Sequence, residues 1–292
     1  MAMSDNMRGV LLMNVAMLAF TLNDTAMKAV AETLPLFQAI TLRGILTTAG
    51  LVVLAMARGG LRLWPGRRDG GIVALRTLAE VFATLTFLVA LTHMPLANLS
   101  AIMQSLPLAV TLAAALVLRD PIGWRRLSAI GIGFLGVLLI VRPGTDGFDR
   151  WALLGLVSVA CVVVRDLSTR TLGGAVPSAT VAIWAGAGVT LLGLVGLTVQ
   201  GWAPMGGREA LIILFAASCL VVGYMTVVMV MRVGDIGTIA PFRYTALLWA
   251  ILLGYVVFGA LPERLTLIGA GIVVATGIYT LLRERRLRRS GR

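Results

Sequence analysis

Arg76 and Glu80 stand four residues apart in a run whose next charged or titratable residue is His93, and with Thr84 and Phe87 they form one stripe at helical spacing. A charge near the centre of a bilayer costs roughly 2.5–3.5 kcal/mol on insertion scales, so each one has to be offset by a partner or a use. Two readings of the stripe stay open. It is an internal ion pair that fixes packing, or it lines a cavity in which Glu80 carries a proton, a role that fades if Arg76 neutralises it. A second set is Ser100, Gln104 and Thr111 around Pro107, where proline frees a backbone carbonyl and bends a helix. A third is Pro241, Arg243, Tyr244 and Thr245. Arg243 suits a substrate carboxylate, which a guanidinium holds through two parallel hydrogen bonds, and it equally suits a neighbouring carbonyl or acid. Tyr224 and Trp184 offer aromatic faces for an apolar or cationic group, or ordinary packing. The substrate-contact candidates are thus Glu80, Thr84, Gln104, Trp184, Tyr224, Arg243 and Tyr244.

A further pair of clusters reads as gates. Asn14, Thr21, Thr25 and Lys28 follow a stripe beside Asn23 and Asp24, and Ser158, Arg165, Asp166 and Thr169 follow another that ends at Arg170. Asp24 with Lys28 and Asp166 with Arg170 have the spacing that pairs charges on one helix face. Either the clusters make and break polar contacts as the molecule rocks, or they cap helix ends with solvated charge.

These residues must be positioned by membrane-spanning helices. Hydrophobic residues make up 59% of the 292, mean hydropathy is +0.95 and only 13% are charged, more apolar surface than a water-soluble fold can hide. Segments of about 20 apolar residues cross a bilayer, and the sequence predicts ten: 9–28, 36–57, 71–91, 96–118, 126–141, 151–170, 178–199, 209–231, 237–258 and 264–282. The first carries no small-residue cleavage site and reads as a permanent span. The expected fold is all-α, ten helices in two five-helix repeats, 1–145 and 146–292. A unit that crosses an odd number of times starts its second copy on the opposite side, so the repeats are inverted around a central cavity.

Lys and Arg at the span ends set the orientation. With the N-terminus inside, seventeen fall on the cytoplasmic side, including Arg58, Arg62, Arg125, Arg126 and six from Arg283 to Arg292; five fall opposite, and Arg43, Arg76 and Arg243 lie within spans. Both termini are therefore expected in the cytoplasm. The net charge of +12 becomes a topology signal, with the tail RERRLRRSGR against anionic head groups. It lacks the folded basic surface and stacking aromatics that a nucleic-acid partner requires.

The halves also align by residue. NDTAMK (23–28) answers to RDLSTR (165–170), and the segment from Arg119 answers to that from Gly259, with Gly131 and Gly133 opposite Gly269 and Gly271, small residues that let helices approach. Residues 118–144, LRDPIGWRRLSAIGIGFLGVLLIVRPG, and 240–286, APFRYTALLWAILLGYVVFGALPERLTLIGAGIVVATGIYTLLRERR, resemble the closing hairpins of the two EamA domains of the drug/metabolite transporter superfamily. The resemblance implies a cavity surrounded largely by the third, fourth, eighth and ninth spans, and export of small metabolites, amino acids prominent among them. An acid usual near the end of the fourth span is matched by Asp120; its counterpart in the ninth falls on Ala260, with Glu263 three residues later.

Other motifs lead nowhere. Gly131, Gly133 and Gly136 spell G-x-G-x-x-G inside an apolar span, not at a strand-to-helix turn. Cys161 and Cys219 sit mid-span, His93 is the lone histidine, and no catalytic serine or zinc motif is present, which disfavours an enzyme, a metal site and any cofactor. The expected function is a secondary transporter exporting small polar metabolites, amino acids first, across a bacterial inner membrane by alternating access, with a passive channel as the rival. Its expected partners are the small-molecule substrate and membrane lipids.

Overall fold

The computed structural model describes residues 5–57, 64, 66–120, 122–143, 149–172, 176–230, 233 and 235–289; Arg58, Arg62, Arg232 and Arg292, used for orientation, lie outside them. The described residues form helices and turns without a strand: α1 (Asp5–Val30), α2 (Leu36–Ala57), α3 (Arg67–His93), α4 (Leu96–Met103), α5 (Leu106–Val117), α6 (Trp124–Val141), α7 (Arg150–Thr171), α8 (Ser178–Gln200), α9 (Gly207–Val230), α10 (Ile236–Ile239), a 3-10 turn (Ala240–Tyr244), α11 (Thr245–Phe258) and α12 (Arg264–Arg289). Ten stretches are long and apolar enough to cross a membrane, and they coincide with the expected spans to within a few residues. Span four is α4 with α5, and span nine is the 3-10 turn with α11.

Local chemistry sets the ends. Prolines precede α4 and α8, where a missing N–H costs nothing, and the Asp149 carboxylate accepts from the Trp151 amide at 2.9 Å to cap α7. Spans four and nine are interrupted at positions that match in the two halves. Gln104 and Ser105 (φ −65, ψ −14; φ −71, ψ −14) separate α4 from α5, while Tyr244 and Thr245 (φ −67, ψ −14; φ −63, ψ −20) separate the 3-10 turn from α11. Both spans also end on a left-handed residue, Arg119 (φ 59) and Gly259 (φ 64). After each, an amide turns back to a carbonyl six residues earlier: Asp120 to Ala114 at 3.3 Å, Ala260 to Gly254 at 3.0 Å.

Packing follows a pattern. α1 lies on α9 as α7 lies on α3; α1 meets α11 as α7 meets α4 and α5; α2 meets α9 as α8 meets α3. The pairs α2 with α8, α6 with α12 and α4 with α11 map onto themselves when each span is exchanged with the one five further along. The pattern is not complete: α1 packs on α3 and α12 on α4 and α5, whereas no packing of like extent joins α7 to α9 or α6 to α11 among the described residues. The α1–α3 contact is closed by Lys28, whose ammonium donates to the Leu91 and Met94 carbonyls at 2.5 and 2.8 Å and lies 5.6 Å from the centre of the Phe258 ring. At the same end Gln38, fully buried, donates to the Ala203 carbonyl and accepts from the Ala203 amide, at 3.0 and 2.9 Å. Most of the large buried side chains of the main core, among them Met27, Ile40, Leu88, Leu91, Leu99 and Ile213, crowd this half of the molecule.

Of the four matched glycines, Gly269 makes the close crossing of α6 and α12, together with Gly136. A Cβ on Gly136 would come within 2.8 Å of the Gly269 carbonyl oxygen, and one on Gly269 within 2.5 Å of the Gly136 carbonyl oxygen. Gly133 receives Leu108 and Thr276, whereas Gly131 and Gly271 face open space. Gly131 and Gly136 lie on different faces of α6, and only the latter faces the partner helix.

Candidate functional site

Helices α2, α3, α7 and α9 and the broken ninth span bring their few charged and aromatic residues to one central group. Glu80 on α3, 8% exposed, is held from its own helix by Arg76 at 3.5 Å and from α7 by Arg165 at 3.3 Å. Arg165 also binds its neighbour Asp166 at 2.8 Å. The Arg76 Nε donates to Thr169 Oγ1 at 3.2 Å, and the Ser158 hydroxyl to the Ala83 carbonyl at 3.1 Å, so polar contacts run the length of the α3–α7 interface. Across the site, Arg43 on α2, 5% exposed, donates to Asn23 Oδ1 at 3.2 Å, and the Asn23 amide donates to Asp24 Oδ1 at 2.9 Å. Tyr224 on α9 stands between the two groups, within electrostatic range of Glu80, Arg165, Arg76 and Arg43, and edge-on to Phe20 at 5.7 Å.

Arg243 behaves differently. It projects from the 3-10 turn in the middle of a span, is exposed, and has Asp166, Arg165 and Tyr244 as its electrostatic neighbours. It forms no ion pair with an acid among the described residues. The Arg243 guanidinium is thus accessible although charges of the interior surround it. Arg43, Arg76, Arg165 and Arg243 face Asp24, Glu80 and Asp166, which leaves one positive charge in excess when all are ionised. Arg43 Nε and Arg76 Nη1 are buried without an acceptor. The group therefore holds more donors than acceptors, and an acceptor-rich ligand would satisfy them.

Several expected contacts fall differently. The Asp24–Lys28 and Asp166–Arg170 pairs do not form: Asp24 is taken by Asn23, Asp166 by Arg165, Lys28 by the α3 carbonyls, and Arg170 by Asp120 at 3.2 Å. Each base reaches across to a neighbouring helix because partners there are better placed than one turn along its own. Tyr244 is buried with its hydroxyl pressed on Gly277 of α12 and without a hydrogen bond, and Arg243 is its charged neighbour. Trp184 is 40% exposed. Gln104 is 7% exposed at the break of span four, and Thr84 is half-buried one turn beyond Glu80. Glu263, the displaced acid of the ninth span, pairs with Arg142 at 2.6 Å. Arg43 was legible only as a cation inside a span; its isolation in apolar sequence was the available signal.

Residues 7–142 match the model of the EamA-like transporter family. Over that segment, just under half of its length, this chain is similar to the EamA-like transporters. The chain is similar to a riboflavin transporter of Rhizobium johnstonii (strain DSM 114642 / LMG 32736 / 3841), 26% identical over 68% of this chain and 66% of that protein, just under two thirds of its length. It is similar to an S-adenosylmethionine uptake transporter of Rickettsia prowazekii (strain Madrid E), 20% identical over 98% and 96% of the two chains, and to a pseudopaline exporter of Pseudomonas aeruginosa (strain UCBPP-PA14), 23% identical over 95% and 97%. A crystal structure 22% identical to this chain superposes with a TM-score of 0.65, covering 96% of this chain and 98% of the other, which establishes the shared fold. Ten helices of this chain are long and apolar enough to cross a membrane, and the bacterial relatives that it resembles are named as transporters.

Proposed function

We propose that this transporter moves small polar metabolites that carry a carboxylate, amino acids foremost, out of the cell by alternating access between two inverted five-span halves. The single observation that carries the substrate class is Arg243, an accessible guanidinium without an acid partner among the described residues, set in a group with donors to spare. A substrate carboxylate takes Arg243, its ammonium or hydroxyl groups face Glu80, Thr84 and Gln104, and Tyr224 supplies an aromatic wall. Relatives named for riboflavin, S-adenosylmethionine and pseudopaline show that the family accommodates polar metabolites in both directions, so export and amino acids are this reading's own commitments.

The packing pattern supports the inversion, because exchanging each span with the one five further along preserves the principal helix pairs. One of its exceptions supports the alternation. In this state α1 is sealed on α3 by Lys28, with Asn23 and Asp24 one turn behind it, and the equivalent α7–α9 contact is open beside Arg165, Asp166 and Arg170. The other state would seal α7 on α9 and release α1. Lys and Arg are sparse at the sealed end, so the positive-inside rule makes it the outer one, with both termini and the open side cytoplasmic.

The test is uptake of a panel of labelled amino acids into proteoliposomes, with and without a pH difference, for wild type, Glu80→Gln and Arg243→Ala. Saturable flux of at least one member, lost in Arg243→Ala, supports the reading. No flux of any member ends the amino-acid assignment, and flux that never saturates supports a channel.

A further inference from the structure

We infer that the lateral groove between α6 and α12 is a binding site for one anionic phospholipid. The groove encloses about 480 Å³ and is separate from the charged centre. Its rim is Trp124, Arg125 and Tyr279; its deeper wall is Ala129, Ile132 and Ala275. Trp124 and Tyr279 are 72% and 44% exposed and sit where α6 begins and α12 leaves the apolar stretch, the level at which amphipathic rings mark a membrane interface. Ile132, 51% exposed, continues the groove towards hydrocarbon depth. The lining thus passes from cationic and aromatic to apolar over two turns of helix, the order of chemistry along a phospholipid.

The charge at the rim selects an anion. Arg125 lies 5.3 Å from the Trp124 ring and forms no ion pair with an acid among the described residues. The two hydroxyls in the lining are committed within their own helices, Ser128 donating to the Trp124 carbonyl at 2.9 Å and Thr276 to the Ile272 carbonyl at 2.8 Å. No carboxylate lines the groove. Gly123 gives α6 no side-chain cap, so the positive end of that helix adds to the field at the same place. The similar groove between α2 and α8, lined by Ile45, Thr48, Val52 and Leu191, has no charged residue and carries no such inference.

The experiment is native mass spectrometry and lipid-dependent melting of the full chain in detergent, titrated separately with phosphatidylglycerol and phosphatidylcholine. Wild type should retain one phosphatidylglycerol in preference to phosphatidylcholine, and Arg125→Gln should weaken that retention about fivefold, the factor that one basic residue near an anionic surface is worth. A variant with Arg285, Arg286, Arg288 and Arg289 changed to Gln should still retain it. Arg125 is exposed, and an unshifted melting temperature of each variant without added lipid confirms folding. Equal retention of both lipids overturns the inference, as does loss of selectivity in the tail variant with none in Arg125→Gln. Cross-linking of the groove to a second copy of the chain, with no lipid retained, assigns it to a dimer contact instead.

Discussion

Glu80 on α3 is bound by Arg165 on α7 at 3.3 Å, across an interface that joins a span of the first half to a span of the second. Arg76 holds the same carboxylate at 3.5 Å, so one acid compensates two bases in a region where an unpaired charge is costly. Glu80→Ala should therefore destabilise the protein by about 3–5 kcal/mol, read as a lower melting temperature in detergent. The double variant Glu80→Ala/Arg165→Leu should lose less than the sum of its parts, by about 0.5–3 kcal/mol.

Arg243 has the opposite signature. Its exposure and lack of an acid partner among the described residues mean that little in the fold depends on it. Arg243→Ala should leave the melting temperature near that of wild type while raising the transport KM by roughly 10- to 100-fold, the equivalent of one charge-assisted hydrogen bond of about 1.5–3 kcal/mol. Arg243→Lys should recover part of the loss, since a point charge remains but the two-pronged geometry does not.

Tyr244 should prove dispensable as a polar group. Its hydroxyl is buried against Gly277 without a partner, so Tyr244→Phe removes an unsatisfied donor and should keep or raise thermal stability with transport close to wild type. Gly277→Ala should be harmful, because a Cβ there would fall on that hydroxyl.

The α6–α12 crossing distinguishes glycines that the sequence cannot. Gly136→Val or Gly269→Val pushes a side chain into a facing backbone carbonyl and should cost about 1–3 kcal/mol, whereas Gly131→Ala and Gly271→Ala, which meet nothing within 4 Å, should melt with wild type.

How much of this was legible depended on the range of the interaction. Span positions follow from hydropathy alone, since about 20 apolar residues is a one-dimensional property, and all ten spans fell where expected. The Arg76–Glu80 pair was legible for the same reason, as both residues share one helix. The Asp24–Lys28 and Asp166–Arg170 pairs failed because local spacing competes with partners on other helices: the α3 carbonyls for Lys28, Asp120 for Arg170. The Arg43–Asn23 contact, the Gln38–Ala203 contact and the Arg142–Glu263 pair were not legible because the partners lie on other helices or in distant loops. The contact of Tyr244 with Gly277 was not legible either, because a 3-10 turn advances side chains by about 120° each and so directs them differently from a continuous α-helix.

The proposed mechanism requires the α1–α3 seal to be exchanged for an α7–α9 seal, and paired spin labels read that motion directly. With Cys161 and Cys219 replaced by Ser, one protein carries labels at Thr33 and His93, beside the sealed end, and another at Thr171 and Met229, at the open end; all four positions are exposed. Electron–electron resonance in nanodiscs should show the first distance lengthen and the second shorten when a transported amino acid is added. Two distances that stay fixed while solute continues to cross, or that change in the same sense, would contradict alternating access and leave a pore.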